Sequence, residues 1–182
     1  YYTRAVTHAA SVFAWEAVAE YQERMLMAID CLDPGRDDPD RLAQRGEILA
    51  DRAHTHFLCG RLAARDVDLR ALTALTEAAG DPKLRLLALV HRVRYLNLDA
   101  HYAQALAAAQ AGLDLATDLG DDAVRSRLLA QIGFAHYFLG QPRPALSALQ
   151  AALAKLGDAD DPARRGRILH ILGYVHFHLG AY

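Results

Sequence analysis

A spacing of 40 residues runs through this chain in several columns at once. Gly60, Gly140 and Gly180 fall on it, with Ala100 in the remaining slot. Arg45, Arg85, Arg125 and Arg165 repeat on it, as do Leu49, Leu89, Leu129 and Leu169. Ala53, Gly133 and Gly173 form a small-residue column that Val93 interrupts. His56, His136 and His176 form another, interrupted by Leu96. Coincident columns in one register mean that one supersecondary unit recurs. A unit this small cannot bury its own apolar face, so neighbouring units must stack.

Each unit reads as two helices. After Pro82, residues Leu86, Leu89, Val90, Val93 and Leu96 recur at the spacing of one helical face. Leu128 to Phe138 repeats that logic. Ala and Leu dominate and β-branched residues are scarce, which favours helix over strand. Pro82, Pro142 and Pro162 stand at expected helix starts, where a missing N–H costs nothing. Gly60, Gly80, Gly120, Gly140, Gly157 and Gly180 stand at expected ends. The pattern predicts helices near 2–12 and 15–32, then pairs at 40–59 with 62–79, 82–98 with 101–119, and 121–139 with 142–156. A lone helix near 162–179 follows, and no strand is expected. The longest loop is Asp33–Asp40, rich in acids and breakers.

Composition narrows the function classes. The 182 residues are 53% apolar and carry 20 basic against 22 acidic side chains. That balance argues against a nucleic-acid partner. No apolar run approaches the roughly 18 residues of a membrane span, so no membrane partner is expected. Cys31 and Cys59 have neither metal nor redox spacing, and a reduced cytoplasmic location fits. Phosphate-loop, dinucleotide, zinc-protease and nucleophile-elbow motifs are absent, so the chain reads as non-catalytic and without cofactor. The start at Tyr1 rather than Met and the stop at Tyr182 within a repeat suggest a fragment of a longer protein.

The residues resemble the tetratricopeptide repeat. The clearest copy is Leu129, Ile132-Gly133, His136, Gly140, Ala145 and Ala152. The next gives Leu169, Leu172-Gly173, His176, Gly180 and Tyr182, and Ala100, Tyr102, Ala105 and Ala109 match the turn and second helix of the middle copy. The spacing of 40 exceeds the family's usual period of about 34. Leu replaces a Trp, His replaces a Tyr, and Arg65 and Leu69 are larger than the small residues expected there. The long form is similar to the MalT-like type found in the C-terminal arms of bacterial signalling ATPases and transcriptional activators. The opening stretch AVTHAASVFAWEAVAEYQERMLMAIDCL resembles the start of such arms.

The resemblance implies an all-α fold: a right-handed superhelical solenoid of antiparallel helix pairs, one domain over 1–182. Its repeats would be 1–39 (partial), 40–80, 81–120, 121–160 and 161–182 (partial). It implies a binding arm that receives a protein or peptide partner, or a small inducer, within a larger regulator. A stand-alone adaptor assembling protein complexes is the alternative. First helices line the concave side in this family. The register places His54, Arg94, Phe134 and Tyr174 in one row there, and Phe57, Asn97, Tyr137 and Phe177 one turn on. Aromatic area punctuated by an Arg and an Asn makes a binding groove. The competing reading packs part of those aromatics against neighbouring helices.

The nine histidines suggest no metal site. His54/His56 and His176/His178 are two apart, which points their rings in different directions on a helix. His170 and His178 share a face but lie about 12 Å apart, with Tyr174 between. His56, His136 and His176 are expected to be half-buried and hydrogen-bonded to neighbours. The column Arg45, Arg85, Arg125, Arg165 sits where a cation opposes the helix dipole. Asp81, Asp121, Asp122 and Asp161 are candidate partners in an ion-pair ladder, and an anion-binding stripe is the functional alternative. Trp15 is expected in the core. Leu169, Leu172, Val175 and Leu179 are expected to leave an apolar face on the last helix, through which the chain would dimerise.

Overall fold

A computed structural model describes residues 2–35, 38–156 and 162–180. The described residues form α1 (Tyr2–Ser11), α2 (Trp15–Leu32), α3 (Pro39–Leu58), α4 (Leu62–Ala79), α5 (Pro82–Leu98), α6 (Tyr102–Asp118), α7 (Asp122–Phe138), α8 (Pro142–Lys155) and α9 (Pro162–His178). The protein is all-α, and no strand occurs among the described residues. Each helix expected from the periodicity is present, with ends displaced by no more than a residue or so.

Local chemistry sets these boundaries. The Asp38 carboxylate accepts from the backbone N–H groups of Asp40 and Arg41, and Pro39 opens α3. The Asp121 carboxylate accepts from Val124 N–H and starts α7. Such caps satisfy donors that the first helical turn leaves unpaired. Helix ends close by a common device. The N–H of Gln141 reaches the carbonyl of His136 at 2.9 Å, and that of Gly140 reaches Tyr137 at 3.0 Å. The same pair of bonds recurs at Gly60–Arg61, Ala100–His101 and Gly120–Asp121. This closure needs a left-handed residue. The glycines supply it at φ near 69°, and Ala100 adopts it at 61° despite its Cβ.

The chain forms two compact units, Tyr1–Ala88 and Leu89–Tyr182, with the boundary inside α5. In the first, Leu26 and Ile29 of α2 meet Ile48, Leu49 and Ala50 of α3 and Leu72 and Leu75 of α4. Each such burial stabilises by about 1.5–3 kcal/mol for the larger side chains. Arg65 and Asp68 occupy positions where the 121–160 repeat has Ala145 and Ala148, and both are buried. Arg52 grips the Asp68 carboxylate with two bonds, 3.0 Å from Nε and 2.6 Å from Nη2. Arg52 also pairs with Glu23 of α2, and Arg65 pairs with Asp66 at 2.8 Å. A buried charge is tolerable when its partner is also in place. The charge of the buried Arg65 is therefore compensated by its neighbour.

In the second unit the small residues permit close helix contact. A Cβ on Gly133 would lie 2.5 Å from Leu149 Cγ and 3.3 Å from the Ala145 carbonyl oxygen. The buried Ser126 hydroxyl donates to the Ala152 carbonyl at 2.8 Å. Ala145, Leu149, Ala152 and Leu156 pack with Ile168, Leu172 and Val175 of α9. This corrects the expectation for α9: Leu172 and Val175 are buried against α8, and Leu179 is half-buried. Leu169 remains 52% exposed. Nothing lies within 4 Å of a Cβ on Gly166 or Gly173.

Candidate binding surface

On α7, residues Arg127, Gln131, Phe134 and Phe138 recur at one-face spacing. They lie round the helix from Ser126 and Gly133, the residues that meet α8. The corresponding face of α9 carries Arg167, Ile171, Tyr174 and His178. Neighbouring first helices are thus aligned along a shared surface within the second unit. Ring contacts between these helices fix their offset. Tyr137 meets Tyr174 at 6.2 Å and His178 at 5.4 Å between ring centroids.

Aromatic rings link into a continuous ledge there. Tyr102 of α6 stacks on Phe138 at 5.4 Å, and Phe138 contacts Phe134 at 4.6 Å and Tyr137 at 5.2 Å. Beyond Tyr137 the series continues through Tyr174 to His170 at 4.9 Å, and through His178 to Phe177 at 5.9 Å. The Tyr137 hydroxyl and His178 Nε2 are 3.3 Å apart. Phe138, Tyr174 and Phe177 remain 51%, 49% and 62% exposed. Exposed ring faces in a connected array are what a docking surface presents.

The structure separates the eight expected groove residues. Phe134, Tyr137, Tyr174 and Phe177 all belong to the ledge, although Tyr137 bridges diagonally to Tyr174 instead of the register row running straight. His54 and Phe57 lie in the other unit, half-buried, with rings stacked at 6.5 Å. Asn97 is 3% exposed. Its Nδ2 donates to the backbone and side-chain oxygens of Gln131 at 3.0 and 2.9 Å. It holds α5 to α7 instead of offering a free amide to a ligand. Arg94 is half-buried, its guanidinium 5.8 Å from the Tyr95 ring centroid. Tyr102, Phe138, His170 and His178 were missed as ledge residues. Phe138 was legible in principle, four residues after Phe134 on one face. Tyr102 required the packing of α6 on α7.

Trp15 is half-buried, edge-on to the exposed Phe13 at 6.0 Å, so it is not a core residue. His56 Nε2 lies 3.5 Å from the Asp68 carboxylate, and His136 Nδ1 lies 2.7 Å from Gln141 Oε1. Burial lowers the His56 pKa, with Arg52 and Arg61 in the same direction and Asp68 opposing. His176 is half-buried. Arg45 pairs with Asp30 of α2. Arg125 pairs within its own helix with Asp122 at 2.7 Å, and Lys155 of α8 reaches the same carboxylate at 3.2 Å. Asp81 and Asp121 cap backbone N–H groups, and Asp161 lies outside the described residues. Cys31 and Cys59 are free thiols. Among the described residues no three His, Cys, Asp or Glu side chains are grouped to hold a metal ion, and no helix is long and apolar enough to cross a membrane.

No protein-family model and no curated protein matches this chain.

Proposed function

We propose that this chain is a non-catalytic binding scaffold of the tetratricopeptide type, stacked as a solenoid, serving as the sensor or interaction arm of a larger regulator. The ring ledge from Tyr102 through Phe138 and Tyr137 to Tyr174 and Phe177 carries the reading. Globular proteins place large apolar rings in their cores; an exposed connected array marks an interaction surface. The occupant is a protein or peptide whose own apolar side chains cover those rings. The 40-residue register and the family resemblance support the repeat architecture. Function is attached to this surface and not to the fold as such.

The test places a photoreactive phenylalanine analogue at position 138 in the intact protein. Crosslinked partners are identified, purified and titrated against the wild type and the Phe138→Ala/Tyr174→Ala pair. The reading expects at least a tenfold loss of affinity in the paired variant, the scale of a truncated aromatic anchor. Unchanged binding of every partner, with helicity intact, would overturn it.

A further inference from the structure

Beyond the ring ledge, the same face of the second unit gathers arginines. Arg127 of α7 is half-buried. The offsets of 37 and 41 residues that pair Tyr137 with Tyr174 and His178 set Arg127 level with the Arg164–Arg167 turn of α9. The link from Arg164 Nη1 to the Ala123 carbonyl at 3.3 Å confirms that alignment at this end of the helices. On the other side, Asn97 anchors α5 to Gln131, which brings Arg94 to the flank of Arg127. Arg94, Arg164 and Arg167 each depress the Arg127 pKa, after burial as the leading cause, and Asp121 opposes them. Asp121 already accepts from Val124 N–H. No hydrogen bond or ion pair reaches the Arg127 guanidinium from any described residue.

A fold gains nothing from such an arrangement. Converging guanidinium groups repel, and burial removes the water that would screen them. The equivalent position one repeat earlier is Leu87, so the repeat does not need an arginine here. Among the described residues, other half-buried arginines are paired with carboxylates: Arg45 with Asp30, Arg52 with Asp68 and Glu23, Arg125 with Asp122. Planar forked donors of this kind match a tetrahedral oxyanion better than a point charge does.

We propose that Arg94, Arg127 and Arg167 form a subsite for the phosphoryl group of a phosphorylated ligand, flanked by Arg164. The subsite lies about 10 Å along α7 from Phe134, seven residues at the helical rise. It deepens the docking reading by assigning the charge of one part of the occupant, and so rests on that reading for the identity of the whole ligand. The anion site itself stands or falls separately.

Inorganic pyrophosphate, titrated into the whole chain by calorimetry at low ionic strength, is the probe. One saturable site is expected, weakening as salt is added. Arg127→Gln and, independently, Arg94→Gln each lower its affinity about tenfold or more, as loss of a charge-assisted contact does. Arg125→Gln, which removes equal charge from the Asp122 pair, leaves it unchanged. Circular dichroism melts confirm that the variants fold, and Arg127→Gln is expected to melt no lower than wild type. Absence of saturable binding, or equal loss in Arg125→Gln and Arg127→Gln, overturns the subsite. Partner binding at Phe138 and Tyr174 would then still be open to its own test.

Discussion

Gly133 and Gly173 occupy one column of the repeat yet demand opposite outcomes when given a methyl group. In α7, a Cβ at 133 would sit 2.5 and 2.8 Å from Leu149 Cγ and Cδ2, and 3.3 Å from the Ala145 carbonyl oxygen. Leu149 is fully buried, and Cγ is close to its backbone root, so relief requires α8 itself to shift. Overpacking of this kind costs about 1–3 kcal/mol. In α9, a Cβ at 173 meets nothing within 4 Å. Both substitutions gain about 1 kcal/mol from replacing glycine inside a helix. That gain cancels between the pair, so the difference between Gly133→Ala and Gly173→Ala is the overpacking alone, about 1–3 kcal/mol. Gly173→Ala should raise the melting temperature by about 2–4 °C for a chain of this size, while Gly133→Ala lowers it or leaves it level. Thermal melts by circular dichroism read the difference, and amide exchange in α8 locates the damage of Gly133→Ala. Equal shifts of one sign in both variants would refute the reasoning. A loss at Gly173 would mean that another helix covers this face of α9 in solution.

Other perturbations test separate parts of the structure. Asp68→Ala removes two charge-assisted bonds from Arg52 and leaves it Glu23 alone, which should cost about 1.5–3 kcal/mol by urea denaturation; a loss under about 0.5 kcal/mol would show that solvent reaches the pair. Ala100→Gly relieves a left-handed alanine at φ 61° and should stabilise by about 1 kcal/mol; a destabilised variant would contradict that turn geometry. The lowered His56 pKa means that the folded state binds fewer protons at this site than the unfolded chain. Its contribution is complete above the ordinary histidine value of about 6.5 and is lost as pH falls from there through the folded value. Denaturation midpoints between pH 7.5 and 5.5 should therefore fall less in His56→Gln than in wild type, and parallel curves would count against it. The exposed Leu169 beside the open Gly166 and Gly173 makes α9 the place where a second copy would pair. Sedimentation equilibrium should show concentration-dependent dimers that Leu169→Glu weakens, and a monomer at every concentration removes that expectation.

The helices and their limits were legible in the order of residues, because the signals are local. Asp38 and Asp121 cap with their own side chains, and Gly60, Gly120 and Gly140 adopt a backbone conformation that depends on no distant partner. The 40-residue register even marked Ala100 as a turn residue. The register also placed Phe134, Tyr137, Tyr174 and Phe177 on helix faces that carry the ledge. Burial followed another rule. Gly133 is closed and Gly173 is open although their sequence contexts are alike, since only one has α8 against it. Asn97, a groove residue by spacing, is turned inward by Gln131, and Arg127, in no column singled out by its pattern, stands among the arginines of α9. Capping and turns are settled within a few residues of chain, so composition and order carry them. Which side chain meets another across 34 to 41 residues depends on how two helices are offset, and that offset comes from packing.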